Sequence, residues 1–315
     1  MVVQQTYSRL GAEWRKIIVG QEDALRLLYI AVLVRGHVLL EGVPGTAKTL
    51  MARTLARLID ADFRRVQFTP DLMPSDVIGT TVFDLQSGGF HLKQGPVFTN
   101  VLLADEINRA PAKTQSSLLE AMEERQVTIE GVSHPLDGVF LTLATQNPIE
   151  YEGTYPLPEA QLDRFLFKVK IEYMPVEQEI ELLERYQAGF RSQNIRTAEL
   201  SPVVNESTLR ECEAEIEQVV VERVMLEYIA RIASASRRSP ELLLGVSPRA
   251  SVALLLSVRA AAAVDGRPYV TPDDVKAMSP AVLAHRLIVR PEAQLDGVTQ
   301  EDAVRRLLAS VEVPR

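Results

Sequence analysis

The stretch Gly42-Val43-Pro44-Gly45-Thr46-Ala47-Lys48-Thr49 decides the fold. It stands between a short apolar run at residues 37–40 and a helical pattern, so a strand, a glycine-rich loop and a helix follow one another. In such a loop, glycines let backbone N–H groups close around phosphates while the helix directs its positive end at them. Lys48 would reach the outer phosphates, and Thr49 would offer a hydroxyl to magnesium.

One position of this loop departs from the general phosphate-loop pattern. Ala47 stands where glycine is expected. An alanine fits easily if its φ angle is helical, but it would narrow the loop if φ must be positive. A plain Gly/Pro turn is the alternative interpretation; the Lys-Thr pair at the required offset favours phosphate binding.

Composition limits the classes of protein to which the chain can belong. Its 315 residues are 46% apolar and 24% charged, as in an ordered globular protein. The longest apolar run, residues 27–34, is too short for a membrane span, and no signal peptide is evident, so we expect a cytoplasmic protein. Cys212 is the single cysteine and excludes an internal disulfide. A net charge of −8 disfavours nucleic acid as a partner.

The hydrophobic pattern divides the chain into two parts. Residues 1–173 alternate apolar runs with helical patterns, which predicts an α/β domain with a five-stranded, mainly parallel sheet. Two hairpins are predicted inside it, one around Ser87-Gly88 and one over residues 126–136. Residues 174–315 carry helix signals only and predict a small helical lid domain, with a polar loop over residues 187–202.

Polar side chains end two of the predicted strands. Asp105 and Glu106 follow the run at residues 101–104; Asp105 would hold the metal, and Glu106 would orient or deprotonate an attacking water. Asn147 follows the next strand, at the edge where ligands of open α/β sheets bind. An acidic helix start and an Asn-Pro turn are the structural alternatives, and the upstream phosphate loop favours the functional interpretation.

Two arginines are candidates for stabilising charge on a transferred phosphoryl group. Arg164 precedes the fifth predicted strand, and Arg249 opens a lid helix. Because most arginines are solvated or paired with surface acids, their positions in the sequence alone favour that simpler interpretation for both.

The chain resembles the MoxR family of AAA+ ATPases. The resemblance is carried by the phosphate loop, by LADEINRAPAKTQSSLLEAMEERQV at 103–127, and by IVGQ at 18–21, ATQNP at 144–148, YPLPEAQLDRF at 155–165 and SPRA at 247–250. It implies an AAA+ P-loop core that binds ATP and Mg²⁺, and alanine before the lysine is usual in this family. The nucleotide-binding residues it implies are Val19, Gly20, Gln21, Gly42, Val43, Pro44, Gly45, Thr46, Ala47, Lys48, Thr49 and Leu50.

The resemblance also implies roles and partners. Asn147 would be sensor 1, Arg164 an arginine finger acting on a neighbouring subunit and Arg249 sensor 2, with Lys48 and Glu106 catalytic and Thr49 and Asp105 holding the metal. Residues 83–92 would form the helix-2 insert and residues 126–136 the presensor hairpin. A head-to-tail hexamer is expected, together with a von Willebrand factor A-domain partner and a client complex whose metal cofactor it helps to insert.

Other functions remain open at this point. A magnesium-chelatase-like ATPase subunit shares the same chemistry and is not separated by the sequence. A nucleic-acid motor is less consistent with it, because His91 and Lys93 are the only basic residues of the first insert and the chain is acidic. A nucleotide-dependent scaffold without turnover conflicts with the presence of Glu106.

Overall fold

The computed structural model describes residues 1–86, 88–147, 154–191 and 200–314. Its central sheet has five parallel strands in the order β2-β5-β8-β1-β9. The five are β1 (Val38–Glu41), β2 (Phe63–Gln67), β5 (Val101–Asp105), β8 (Leu141–Gln146) and β9 (Phe167–Lys170). This confirms the predicted α/β core. Helices cover both faces of the sheet, so β1, β5 and β8 are short and largely buried, whereas the edge strand β2 carries exposed Arg64, Arg65 and Gln67.

The helices of the first part precede, connect or flank these strands. Helix α3 begins at the phosphate-loop lysine, and α5 follows the acidic pair. The helices are α1 (Val2–Trp14), α2 (Glu22–Leu33), α3 (Lys48–Leu58), α4 (Pro74–Ile78), α5 (Ala112–Glu124) and α6 (Glu159–Leu162).

Both predicted hairpins are present. The first pairs β3 (Gly79–Asp84) with β4 (Gly89–Gln94), and Ser87 at its tip lies outside the described residues. The second pairs β6 (Gln126–Ile129) with β7 (Val132–Pro135). Each hairpin is separate from the main sheet; Phe83 and Phe90 of the first are exposed, whereas Val127 and Ile129 of the second are buried in the core.

The second part is helical apart from one small ribbon. Its helices are α7 (Val176–Gln187), α8 (Glu206–Glu217), α9 (Arg223–Arg238), α10 (Pro248–Val264), α11 (Pro272–Leu283), α12 (Pro291–Leu295) and α13 (Gln300–Ser310). The ribbon pairs β10 (Leu242–Leu244) with β11 (Ile288–Val289). Half of the loop predicted over residues 187–202 falls on 192–199, outside the described residues.

One apolar core joins the two parts of the chain. Trp14 and Leu28 from the first two helices belong to the same buried cluster as Leu254 from α10 and Leu307 from α13. Helices α1 and α2 therefore pack on the lid as well as on the sheet side. Burial of this continuous apolar surface packs the lid against the α/β domain. Within the described part of the chain, no helix combines the length and apolarity needed to cross a bilayer.

Candidate nucleotide site and arginine pair

The phosphate loop and the acidic pair meet at one edge of the sheet. The loop leaves the carboxyl end of β1, and Asp105 ends β5 two strands away. A cavity of about 570 Å³ opens there, large enough for a nucleotide. Its lining includes Pro44, Gly45, Thr46, Ala47, Lys48, Thr49, Leu50, Asp105, Glu106 and Asn147, together with Arg53, Arg65, Thr145, Leu182, Tyr186 and Phe190.

Lys48 folds back onto the loop. Its Nζ donates hydrogen bonds to the carbonyl of Gly42 and, at 3.1 Å, to that of Val43. Burial lowers the pKa of Lys48, and the carboxylates of Asp105 and Glu106 oppose that shift. The ammonium is therefore held over the loop by carbonyls that phosphate oxygens can replace.

Ala47 has a positive φ of 62°. An L-residue in this left-handed region carries strain of about 1–2 kcal/mol that glycine does not. The condition under which alanine narrows the loop is thus met. The conformation turns the chain into α3 and directs its first N–H groups at the cavity.

Two short networks hold the acidic pair. Thr145 Oγ1 donates to Asp105 Oδ1 at 2.5 Å and accepts the N–H of Glu106 at 2.8 Å, so one hydroxyl sets both residues. Asp105 Oδ2 also forms an ion pair with Arg65 at 2.6 Å. Glu106 has a φ of 56°, and its Oε2 accepts from Gln67 at 2.5 Å and from Arg109 at 2.9 Å.

The sequence interpretation missed these supporting residues, although one signal was available. In a parallel sheet, neighbouring strands end at the same edge, and Gln67 on β2 pairs in register with Asp105 on β5. Arg65 lies two residues earlier and therefore on the same face. Polar residues on a short strand beside the strand that ends in the acidic pair could have identified both.

Residues Val19, Gly20 and Gln21 do not line this cavity in the described part of the chain. Gly20 instead packs against Gln178 of α7, so closely that a Cβ there would lie 2.2 Å from Gln178 Oε1. Helix α7 also carries Leu182 and Tyr186 into the cavity wall. Gly20 thus contacts a helix that also reaches the cavity.

Arg164 and Arg249 lie together, away from this cavity. The two oxygens of Glu123, at the end of α5, bind one arginine each, with Nε of Arg164 at 3.0 Å and Nη1 of Arg249 at 2.7 Å. Neither arginine belongs to the described lining of the cavity.

His37 shows which edge of the sheet the arginine pair occupies. It lies just before β1 and accepts the N–H of Leu166 on its carbonyl. Burial is the largest cause that lowers the pKa of His37 to about 4; the charges of Arg125 and Arg249 add to this shift, and the hydrogen bond with the carbonyl of Met122 opposes it. Nε2 of His37 also hydrogen-bonds the carbonyl of Met122, next to Glu123, at 3.0 Å, and Arg164 precedes β9, which runs parallel to β1. The pair therefore lies at the amino edge of the sheet, and the phosphate loop follows the opposite end of β1, whose four residues span about 13 Å.

The cavity offers oxygen ligands suited to magnesium. Thr49 and Asp105 both line it, and Mg²⁺ commonly binds one or two protein oxygens with phosphates and water completing its shell. Among the described residues, no group of three His, Cys, Asp or Glu side chains could hold a metal ion alone. The residues present fit a cation that arrives with phosphates.

Fold and site together define an ATPase of the AAA class, and comparison with known proteins agrees. The model of the ATPase family associated with various cellular activities (AAA) matches residues 37–167, and that of the AAA lid domain matches 234–307. A proposed ATPase of Cytophaga hutchinsonii, solved by crystallography, superposes with a TM-score of 0.90 at 41% identity, covering 99% of this chain and 96% of that one.

The curated relatives narrow the class. Chaperone MoxR1 of Mycobacterium tuberculosis is 42% identical, covering 98% of this chain and 83% of its own. Protein MoxR of Methylorubrum extorquens is 30% identical, covering 98% of this chain and 95% of its own. The uncharacterized protein YeaC of Bacillus subtilis is 46% identical over 95% and 92%. The chain belongs to the MoxR family of AAA+ ATPases and hydrolyses ATP.

Proposed function

We propose that this protein is a cytoplasmic, ring-forming chaperone whose ATP hydrolysis remodels or activates partner protein complexes. The observation that carries the proposal is the separation of the nucleotide cavity from the Arg164–Arg249 pair, at opposite edges of one sheet. A subunit built in this way cannot bring its own arginines to its own triphosphate. A second copy, packed head to tail, can supply them.

The roles within one site follow from position. Lys48 binds the outer phosphates, Asn147 contacts the γ-phosphate or the water, and Glu106 orients or deprotonates that water. Residues 19–21 would lie near the adenine, and Gly20 packs against Gln178 of α7, the helix that also reaches the cavity wall. Mg²⁺ held by Thr49 and Asp105 would offset the charge on the phosphates.

The neighbouring subunit completes the site. Arg164 acts as the arginine finger and Arg249 as sensor 2, both towards the nucleotide of an adjacent copy. Guanidinium groups at this place stabilise charge in the transition state and are worth roughly 10³–10⁵ in rate. Successive head-to-tail contacts close into a ring, which we propose is a hexamer.

Because the chain has an α/β domain and a lid domain, ATP hydrolysis would be converted into movement of one domain relative to the other. The α/β domain of residues 1–173 holds the nucleotide, and the lid of residues 174–315 carries Arg249. Loss of the γ-phosphate releases the arginines and lets the lid and the surface hairpins shift. Work of this kind fits a von Willebrand factor A-domain partner and a client complex that receives a metal cofactor.

The test compares wild type with Arg164→Ala across a range of protein concentrations. Turnover per subunit should rise with concentration for the wild type and fall by about 10³-fold in the variant, with nucleotide binding retained. Unchanged turnover of Arg164→Ala at concentrations where light scattering shows assembly would refute the trans role.

The partner is tested separately with Glu106→Gln. A hydrolysis-stalled ring should retain its partner in ATP and release it in ADP. Recovery of an A-domain protein only with ATP supports the chaperone function; capture that ignores the nucleotide contradicts it.

A further inference from the structure

We infer that Glu123 is a positioning residue that presents Arg164 and Arg249 as one unit to a neighbouring copy's nucleotide. The inference rests on the proposed trans function. It concerns a residue that touches neither the nucleotide cavity nor the attacking water in its own subunit. Its carboxylate is the one group that contacts both arginines across the described part of the chain.

The backbones that carry the two arginines are already fixed by other contacts. Asp163, next to Arg164, receives Arg286 Nε at 2.6 Å and Ser247 Oγ at 3.1 Å. Ser247 also caps α10 by accepting the N–H of Ala250 at 3.1 Å. The chain before Arg164 and the helix start before Arg249 are therefore tied to one carboxylate.

Arg286 strengthens this frame. It is buried, and its guanidinium donates to the carbonyl of Phe165 at 2.7 Å and to that of Leu166 at 3.2 Å. Burial lowers the pKa of Arg286, the adjacent Asp163 opposes this shift, and the nearby charge of Arg249 adds to it. Three arginines thus crowd one region, and each needs a carboxylate.

These contacts hold the backbones near Arg164 and Arg249 but do not fix the orientation of the two arginine side chains. Arg164 and Arg249 are 30% and 47% exposed, and two long cations of like charge would separate in solvent without a bridge. Glu123 prevents this because each of its oxygens takes one guanidinium. The two guanidinium groups are then held close enough together for both to contact one small anion.

The same carboxylate is easily displaced. An ion pair this exposed is weak, whereas a terminal phosphate carries more charge and three acceptor oxygens. A neighbour's γ-phosphate can therefore take over both arginines from Glu123 without any rearrangement of the backbone. Preorganisation of this kind lowers the cost of assembling the transition state.

The experiment mixes two inactive variants. Glu106→Gln keeps its arginines but does not hydrolyse ATP, and Arg164→Ala keeps its nucleotide site but lacks the finger. In mixed rings the first variant donates arginines to the second, and an equimolar mixture should recover about a quarter of wild-type turnover per subunit.

Glu123→Gln is then added to one variant at a time. In the arginine donor it should lower the recovered kcat about tenfold while KM for ATP stays within about twofold, because ATP is bound by the other subunit. In the acceptor it should change neither value. Glu123→Asp in the donor, with a shorter reach, should give an intermediate kcat.

Glu124→Gln in the donor is the matched control, since it removes the same charge from the adjacent residue and should leave turnover unchanged. An equal loss in both arms, or no loss in the donor arm, overturns the inference and leaves the trans function standing. If the parent variants fail to complement each other, the trans function fails and the inference fails with it.

Discussion

Replacing Ala47 with glycine should stabilise the protein slightly. Ala47 has a φ of 62°, and moving an L-residue out of this strain is worth about 1–2 kcal/mol. Glycine also lowers the free energy of unfolding by about 0.5–1 kcal/mol, because it has more conformational freedom in the unfolded chain. The difference predicts a gain of about 0.5–1 kcal/mol and a rise in Tm of about 1–3 °C.

Gly45→Ala is the matched opposite. Gly45 has a φ of 86°, and a Cβ placed there meets nothing within 4 Å, so backbone strain is the main cost. That variant should lose about 1 kcal/mol. Both proteins are compared by thermal unfolding without nucleotide and by titration with a fluorescent ATP analogue.

Nucleotide affinity provides the second check on Ala47. If the loop keeps the same backbone when phosphates bind, Ala47→Gly leaves the Kd for the ATP analogue within about twofold. A fall in Tm for Ala47→Gly would refute the strain argument. A change in Kd of tenfold or more would show that the loop changes conformation on binding.

Three further perturbations test other parts of the structure. His37 accepts the N–H of Thr142 on Nδ1 at 3.0 Å and has a pKa near 4, below that of an unfolded histidine. The unfolded chain therefore binds more protons between about pH 6.5 and pH 4, and the contribution of His37 to the free energy of unfolding should fall by roughly 3 kcal/mol as pH drops through that window in urea titrations. Burial also lowers the pKa of His285, which adds to the total change. His37→Gln should flatten this dependence. Glu106→Gln should lower ATP turnover by at least about 10²-fold with unchanged nucleotide binding, and equal losses of both would contradict its proposed role. Arg286→Met leaves Asp163 and the carbonyls of Phe165 and Leu166 without their buried donor and should cost about 3–5 kcal/mol in denaturant unfolding; adding Asp163→Asn should recover only the part of this loss that is due to the ion pair.

The sequence predicted the α/β core, the hairpins and the meeting of the phosphate loop with the acidic pair because these signals are local. The phosphate loop, the acidic pair and both hairpins each lie within about a dozen residues, and each needs particular residue types at fixed offsets. The carboxyl edge of a parallel sheet then brings Lys48, Asp105 and Asn147 to one cavity.

The arginine side could not be predicted in the same way. Which edge of the sheet Arg249 reaches depends on how α10 packs against α2 and α1, more than 200 residues earlier in the chain. Glu123 has no sequence signal, since an acid in the last turn of a helix is usually solvated. The positive φ of Ala47 could not be predicted, because the sequence of the loop is compatible with either a helical or a positive φ at that residue.

The separation of the two edges of the sheet determines how many complete catalytic centres an assembly of copies contains. If each catalytic centre needs a loop from one copy and arginines from the next, an open row of copies always has one idle loop at one end and one idle arginine pair at the other. Two copies in an open row then form one complete catalytic centre, which is half a centre per copy. One complete centre per copy is reached only when the last copy contacts the first and the row closes into a ring. Closure itself would be what the last centre requires.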